Sequence, residues 1–383
     1  MSGSDSAIHL AEVFVVEQPV SVPAGPSVAT YTCRSAVLVR LQDGDGIVGW
    51  GETYRRAGTA AVAGESVGML LGEQPSGARR LMDLLAGRVP DRYALSAISI
   101  ALDDLRARQA GVRVADLYGG PRRRTARGYA SSGGYRDGTD PETSWPAEVR
   151  RSVEEGFTAC KIRIGRMPPV RELPILEQVR AEVGDGVDLM VDANGAYSVP
   201  TARTVGRRLA DLDFRWFEEP LVRHAGGLEY PGYELLSDLN VPIAAGEGLQ
   251  TRSAFAAFLG RGAASIVQPD VSICGGIGEV LFVGELAALS GRMCMPHAWG
   301  GAIQSAASMH AVSLLPEASE LTGLDSPLLE CDRFENPLRT RLADTSIEAV
   351  DGYVTLPDGP GLGISIDEDW LRATATRIAI DSS

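Results

Sequence analysis

Short apolar runs, each closed by polar residues, recur through the middle of the chain. Lys161 and Arg163 lie at the end of TACKIRI, Asp192 near the end of VDLMVDA, and Glu218 and Glu219 at the end of FRWFEE. Glu247 closes VPIAAGE, Asp270 closes SIVQPD and His297 closes RMCMPH. From Lys161 through Asp192, Glu218, Glu247 and Asp270 to His297 the steps are 31, 26, 29, 23 and 27 residues. Each step suits one strand, one helix and two short loops. The runs lack the alternation of a half-exposed strand, so they read as strands buried on both faces in a parallel sheet. Repeated this often, strand–helix units close most simply into a (β/α) barrel, whose C-terminal strand ends face one common site.

Helical periodicity fills the intervals, at 145–156, 168–183, 199–211, 232–239, 251–261, 275–290 and 301–315. Ser198 before Val199 and Pro200 is a helix start, an N-cap with proline in the first turn. RGYASSGGY (127–135) supplies the first barrel strand, and either ELTGLD or PLLECD the last. Ahead of the barrel the pattern differs. AIHLAEVFVVEQPV reads as a strand, 21–30 as a Pro/Gly/Ser loop, and TCRSAVLVRLQDGDGIVGWGET as a hairpin about Asp43–Gly46. Helical periodicity follows from about 58 to 110, stopped by Gly111. Strands followed by helices make a separate α+β unit. The basic run PRRRTAR (121–127) reads as the solvated boundary between the two. Beyond 346, YVTLPDGPGLGISID and TRIAID read as strands around a short helix that return to the N-terminal unit. The predicted organisation is a capping unit over 1–125, a barrel over 126–345, and a C-terminal segment over 346–383 completing the cap.

Composition narrows the function. No apolar run in the 383 residues is long enough to span a bilayer, so no membrane partner is expected. A net charge of −14 argues against nucleic acid as a partner. The polar opening MSGSDSAIHL lacks a signal core, and five cysteines without a CxxC pair suit reduced thiols; both point to the cytoplasm.

Three carboxylates, Asp192, Glu218 and Glu247, fall on three consecutive strand ends. Carboxylates converging in one pocket repel unless a cation neutralises them. Hard oxygen donors without clustered Cys or His favour Mg²⁺ and leave about three octahedral positions for water or substrate. Asp270 and His297 lie on the next two strands. A carboxylate bonded to one imidazole nitrogen fixes the tautomer and raises the basicity of the other, which makes His297 a candidate general base. Lys161 and Arg163, two apart on one strand, share a face and suit an anionic substrate. Arginine holds its proton too tightly to be an ordinary base, so Arg163 reads as an electrostatic or positioning group.

In this order and spacing, the residues resemble the enolase superfamily, in its mandelate racemase subgroup. The resemblance runs over GIVGWGE (46–52), the paired basic residues at 161 and 163, VDAN (191–194), WFEEP (216–220), AAGEG (244–248), QPD (268–270) and PHAWGGAI (296–303). PLLECDRFENPLR (327–339) and YVTLPDGPGLGI (353–364) resemble the tails of its sugar-acid dehydratases and lactone cycloisomerases. It implies an α/β fold, a modified TIM barrel of (β/α)₇β form under an α+β capping domain. One Mg²⁺ would sit on Asp192, Glu218 and Glu247, and the metal and Lys161 would hold the carboxylate of a small-molecule sugar acid or lactone. His297, oriented by Asp270, would remove the proton α to that carboxylate, giving an enediolate. Glu330 would hydrogen-bond the substrate, Tyr54 and Arg55 would close over its distal end, and Asn194 and Trp299 would wall the pocket. A homo-oligomer is implied as well.

The chain departs from the family pattern at Arg163, where the family carries a second lysine acting as base on the opposite face. One-base chemistry survives that change: β-elimination as dehydration or as lactone opening. A racemase or epimerase using Arg163, and a non-catalytic relic of the metal site, are the alternatives.

Overall fold

The computed structural model describes residues 6–224, 229–262, 264–316, 326–345 and 347–382. Strands β1 (Ile8–Gly25), β2 (Tyr31–Asp43) and β3 (Val48–Tyr54) form an antiparallel sheet, with Val13 opposite Val39 and Leu38 opposite Glu52. The β2–β3 turn is held by Asp43, whose Oδ1 accepts from the amides of Asp45 (3.1 Å) and Ile47 (2.8 Å). Helices α1 (Thr59–Val67), α2 (Ala78–Ala86) and α3 (Arg92–Ala110) follow. Asp91 caps α3 by accepting from the Tyr93 amide, and Gly111, at φ 66°, ends it in the left-handed region. α3 lies directly on β3. A Cβ at Gly51 would come within 1.8 Å of the Ala97 carbonyl oxygen, so only glycine permits that approach. A short α4 (Val114–Leu117) leads to the barrel.

The barrel runs β4 (Thr125–Ser131), β5 (Tyr135–Arg136), α5 (Pro141–Glu154), β6 (Ala159–Arg163), α6 (Pro169–Val183), β7 (Asp188–Asp192), α7 (Val199–Asp211) and β8 (Trp216–Glu218). It continues as β9 (Ile243–Ala245), α8 (Arg252–Gly260), β10 (Ile266–Val267), α9 (Ile277–Leu289), β11 (Met293–Cys294), α10 (Ala302–Leu314) and β12 (Leu329–Asp332). A 3₁₀ turn, Tyr233–Leu236, replaces the helix between β8 and β9. Each strand pairs in parallel with its predecessor, from β4–β6 to β10–β11, while the last, β12, pairs in parallel with the first, β4. The sheet therefore curls round on itself. Tyr129, Ala159, Met190, Trp216, Ala244, Ile266, Met295 and Leu328, one from each of the eight strands or the residues beside it, form one buried cluster inside. β5 leaves the barrel to pair with the end of β1.

The last strand is PLLECD; ELTGLD lies outside the described residues. Ser198 caps α7 by accepting from the Thr201 amide, and α6 runs unbroken through Pro174. The segment beyond 346 does not return to the cap as one piece. After α11 (Pro337–Thr340), β13 (Tyr353–Thr355) stays on the barrel, antiparallel to β4. Only α12 (Glu368–Thr374) and β14 (Ala375–Ser382) join the cap, β14 pairing with β1. Three arginines, Arg40, Arg372 and Arg377, converge on the buried Glu12 and fix that junction. No helix among the described residues is long and apolar enough to cross a membrane.

His310, fully buried on α10, ties the barrel to α4: the Ala115 amide donates to its Nδ1 at 3.1 Å. Burial pushes its imidazole down to about 4. The unfolded chain therefore takes up a proton near pH 6.5 while the native one stays neutral, so this contribution to stability is lost as pH falls from about 6.5 to about 4. The loss amounts to about 3 kcal/mol. Urea denaturation at pH 7 and pH 5 should show a smaller pH-dependent loss in His310→Gln than in wild type; equal losses would rule the histidine out as the source.

Candidate active site

The barrel's parallel register sets the site. Arg163 on β6 pairs with Asp192 on β7, which pairs with Glu218 on β8, so three charged strand ends stand side by side. Glu247, Asp270 and His297 follow in the loops just beyond β9, β10 and β11, and Glu330 stands in β12 beside β4. Lys161 is fully buried, its Nζ 2.8 Å from Glu218 Oε1 and 2.9 Å from Glu330 Oε1. Burial works against its charge, but Glu218 and Glu330 outweigh that and hold the ammonium well above its ordinary range. Arg163 is buried too. Its guanidinium stacks on Phe334 (4.9 Å) and Trp299 (5.7 Å), and its Nη1 has no hydrogen-bond partner.

The three carboxylates differ in their compensation. Glu218 accepts from Lys161 and, at 3.0 Å, from Trp216 Nε1. Glu247 accepts from Arg223 at 2.7 Å. Burial raises the Glu247 carboxyl, but His297 and Arg223 bring it down to about 2. Asp192 accepts the Asn194 amide at 2.8 Å and is pushed up to about 7, first by burial and then by the charges of Glu218 and Glu247. Among the described residues, no three His, Cys, Asp or Glu side chains are gathered as a bound ion would gather them. Lys161 holds Glu218 and Arg223 holds Glu247. The donor chemistry nonetheless fits a hard divalent cation: all oxygens, no soft ligand, and in Asp192 a carboxylate whose charge its surroundings do not balance.

His297 and Asp270 form a dyad. Nδ1 lies 2.7 Å from Asp270 Oδ2, and Nε2 lies 3.4 Å from Glu247 Oε2. Asp270 is itself held by the Tyr54 hydroxyl (2.8 Å), Gln304 Nε2 (2.9 Å) and the Ser272 amide (2.7 Å). A carboxylate so fixed keeps the proton on Nδ1 and leaves Nε2 as the basic nitrogen. Burial would lower the imidazole, but Glu247 and Asp270 bring it up to about 10.

A cavity of about 500 Å³ opens over these groups. Arg163, Asp192, Asn194, Glu247, His297 and Trp299 line it from the barrel, Tyr54 and Arg55 from the cap. Lys161, Glu218, Asp270 and Glu330 stand behind that wall. Glu330 meets Lys161 and the Ala298 amide (3.0 Å). Tyr54 reaches the dyad itself, and Arg55 pairs with Glu17 on the cap.

Comparison with known proteins shows the family of the chain. The profile described as enolase C-terminal domain-like covers residues 145–370, and that of the mandelate racemase/muconate lactonizing enzyme N-terminal domain covers 10–119. The chain belongs to the enolase superfamily, in its mandelate racemase subgroup. D-galactarolactone cycloisomerase of Agrobacterium fabrum is 35% identical over 93% of this chain and 96% of its own length. L-talarate/galactarate dehydratase of Salmonella typhimurium is 31% identical over 88% of this chain and 82% of its own. The structure of L-talarate dehydratase from Polaromonas sp. JS666, complexed with Mg and L-glucarate, superposes with a TM-score of 0.83 at 26% identity, covering 98% of this chain and 99% of that one.

Several residues of this enolase-superfamily site escaped sequence reasoning. Gln304 sits on α10 among apolar residues and carried no signal, yet it binds both Asp270 and the Tyr54 hydroxyl. Arg34, near the start of β2, lies 3.9 Å over Trp299 and pairs with Asp332 at 2.9 Å. Arg223 follows WFEEP in a loop, where no period marks it. Glu52 lay inside a quoted motif but was given no role. It is buried, accepts from the amides of Gly301 (2.5 Å) and Gln304 (2.9 Å), and so caps α10 from another domain. Burial, opposed by those amides, pushes its carboxyl up to about 7. Glu52→Ala should cost about 3 kcal/mol in urea denaturation, with Glu52→Gln less harmful. A loss for Glu52→Ala no larger than that of an exposed glutamate would contradict this.

Proposed function

We propose that this chain is a Mg²⁺-dependent lyase or cycloisomerase that removes the proton α to a carboxylate and expels the β-oxygen of a sugar acid or its lactone. The observation that carries the reading is the dyad: His297 is held through Nδ1 by Asp270 at 2.7 Å while Nε2 faces the cavity beside Glu247. Relatives point the same way, since those named above are a lactone cycloisomerase and sugar-acid dehydratases. Asp192, Glu218 and Glu247 would hold the metal, in keeping with the neighbour solved with Mg and L-glucarate. When bound, Mg²⁺ supplies positive charge that holds the substrate carboxylate and offsets the second negative charge developing on it.

His297 Nε2 takes the α-proton, and the electron pair of the C–H bond moves into the carboxylate. Expulsion of the β-oxygen then uses that pair to form the α,β double bond. The imidazolium returns its proton to the departing oxygen on the same face, leaving the dyad as it began. Lys161, fixed between Glu218 and Glu330, and Arg163, free at Nη1, add positive charge around the developing anion. With a hydroxyl as leaving group the product is a 2-keto-3-deoxy acid; with a ring oxygen it is an opened lactone. The five cysteines are all unpaired, in keeping with a cytoplasmic enzyme.

A panel of sugar acids and their lactones, incubated with Mg²⁺ and scored for 2-keto product, tests the reading. At least one compound should turn over. His297→Asn should lower kcat by about a thousandfold or more while Mg²⁺ binding by calorimetry persists. Solvent-deuterium exchange with inversion and no keto product would replace elimination with epimerisation, and undiminished turnover by His297→Asn would remove the histidine from the reaction.

A further inference from the structure

Arg223 stands in the loop that follows β8, and the residues just before it are tied to the loop that follows β7. The Gly195 amide donates to the Glu219 carbonyl at 2.7 Å and the Tyr197 amide to the Pro220 carbonyl at 3.1 Å. A Cβ on residue 195 would come within 3.2 Å of Leu221 O and Val222 Cα, so the two loops lie in direct contact. From this base the guanidinium reaches into the barrel mouth. Its Nη1 donates to Glu247 Oε1 at 2.7 Å and its Nε lies 3.3 Å from Glu219 Oε2. Glu219 is fully buried, and its other oxygen accepts from the Tyr230 hydroxyl at 2.9 Å.

Cations divide the mouth between them. Lys161 serves Glu218 and Glu330 on the inner side. Arg163 is stacked on aromatic rings. Arg223 alone among these three bridges Glu247 and Glu219 on the outer side. A guanidinium keeps its charge at any ordinary pH, so the bridge cannot be relieved by losing a proton. Glu247 is also one of the carboxylates read above as a Mg²⁺ ligand, and its oxygens cannot serve a guanidinium and a divalent ion at full strength together.

We propose that Arg223 is an exchangeable counter-cation of the metal site. It neutralises Glu247 and Glu219 in the metal-free enzyme, must yield Glu247 to the metal, and thereby sets the Mg²⁺ affinity of this chain. The proposal rests on the metal reading above. Removing the guanidinium frees an oxygen of Glu247 and takes away a repelling charge, and both changes favour the metal.

The test titrates metal-free full-length wild type, Arg223→Gln and Arg223→Lys with MgCl₂ by calorimetry and measures Tm with and without Mg²⁺. Arg223→Gln should bind Mg²⁺ about tenfold or more tighter than wild type. Its metal-free Tm should fall, and its rise in Tm on adding Mg²⁺ should exceed that of wild type. Arg223→Lys keeps a charge without the two-pronged geometry and should lie between. A merely structural arginine would lower Tm without improving affinity, so Mg²⁺ binding no tighter than wild type overturns the proposal. If Arg223→Gln does not fold, an affinity of Arg223→Lys equal to that of wild type overturns it instead. Glu218→Gln separates this from the underlying reading. It should weaken Mg²⁺ binding; an unchanged affinity there, or no binding by wild type, removes the ligand set and the proposal with it.

Discussion

Five carboxylates, from Asp192, Glu218, Glu219, Glu247 and Glu330, are drawn into one barrel mouth; four are buried and Glu247 keeps 14% of its side chain exposed. Two such charges 4 Å apart repel by about 4 kcal/mol at an effective dielectric of 20. The mouth stands because fixed cations are threaded between them. Lys161 joins Glu218 to Glu330, Arg223 joins Glu219 to Glu247, and His297 lies against Glu247. Compensation is incomplete: burial and the charges of Glu218 and Glu247 push the Asp192 carboxyl up to about 7 against the pull of Lys161 and Arg163, and burial with Glu247 raises Glu219 as well. A divalent cation is the natural complement of such an arrangement, because it brings the charge that the side chains leave short.

The barrel supplies the positions and the cap supplies much of the support. β3 crosses the mouth and meets the barrel loops at three successive residues. The Glu52 carboxylate caps α10, the Thr53 hydroxyl donates to the Ser272 carbonyl at 2.6 Å, and the Tyr54 hydroxyl donates to Asp270 at 2.8 Å. Ser272 answers by donating its own hydroxyl to the Glu52 carbonyl at 2.9 Å. The capping sheet is therefore part of the dyad's scaffold as well as a wall of the cavity. At the edge of that sheet opposite β3, β14 pairs with β1.

Much of this was legible in the sequence, and the reason is geometric. Parallel strands alternating with helices convert an even spacing along the chain into a ring of strand ends, so Asp192, Glu218, Glu247, Asp270 and His297 announced themselves by position. Helix starts such as Ser198 and stops such as Gly111 were equally readable, because caps are local chemistry. What was not legible lies across the chain. Gln304 reads as one more residue of an apolar helix, and only the fold brings it to Asp270, 34 residues away. Arg223 sits in a loop without period. β13 looked like part of the closing segment, yet its partner is β4, more than 200 residues earlier, and pairing at that distance leaves no local mark. The distribution of carboxylates between wall and floor was hidden for the same reason: sequence gives a strand end, not which oxygen a lysine will claim.

The two faces of the cavity are unequal, and that inequality bears on the reaction. His297 has a partner for each ring nitrogen: a carboxylate that fixes the tautomer on one side, and an open wall with Glu247 on the other. It can accept a proton and give it back. Arg163 sits between Trp299 and Phe334, with Asp192, Glu330 and Asp332 outweighing burial to raise its affinity for its proton. An imidazole and a guanidinium in those settings are not interchangeable bases: even brought up to about 10, the imidazole releases its proton far more readily than the guanidinium, which retains it. A reaction needing a proton removed from one face and delivered to the other would call on both. Elimination with the proton returned to a leaving oxygen on the same face calls on His297 alone, and leaves Arg163 to do what a buried, permanently charged group does best, which is to stabilise negative charge as it forms.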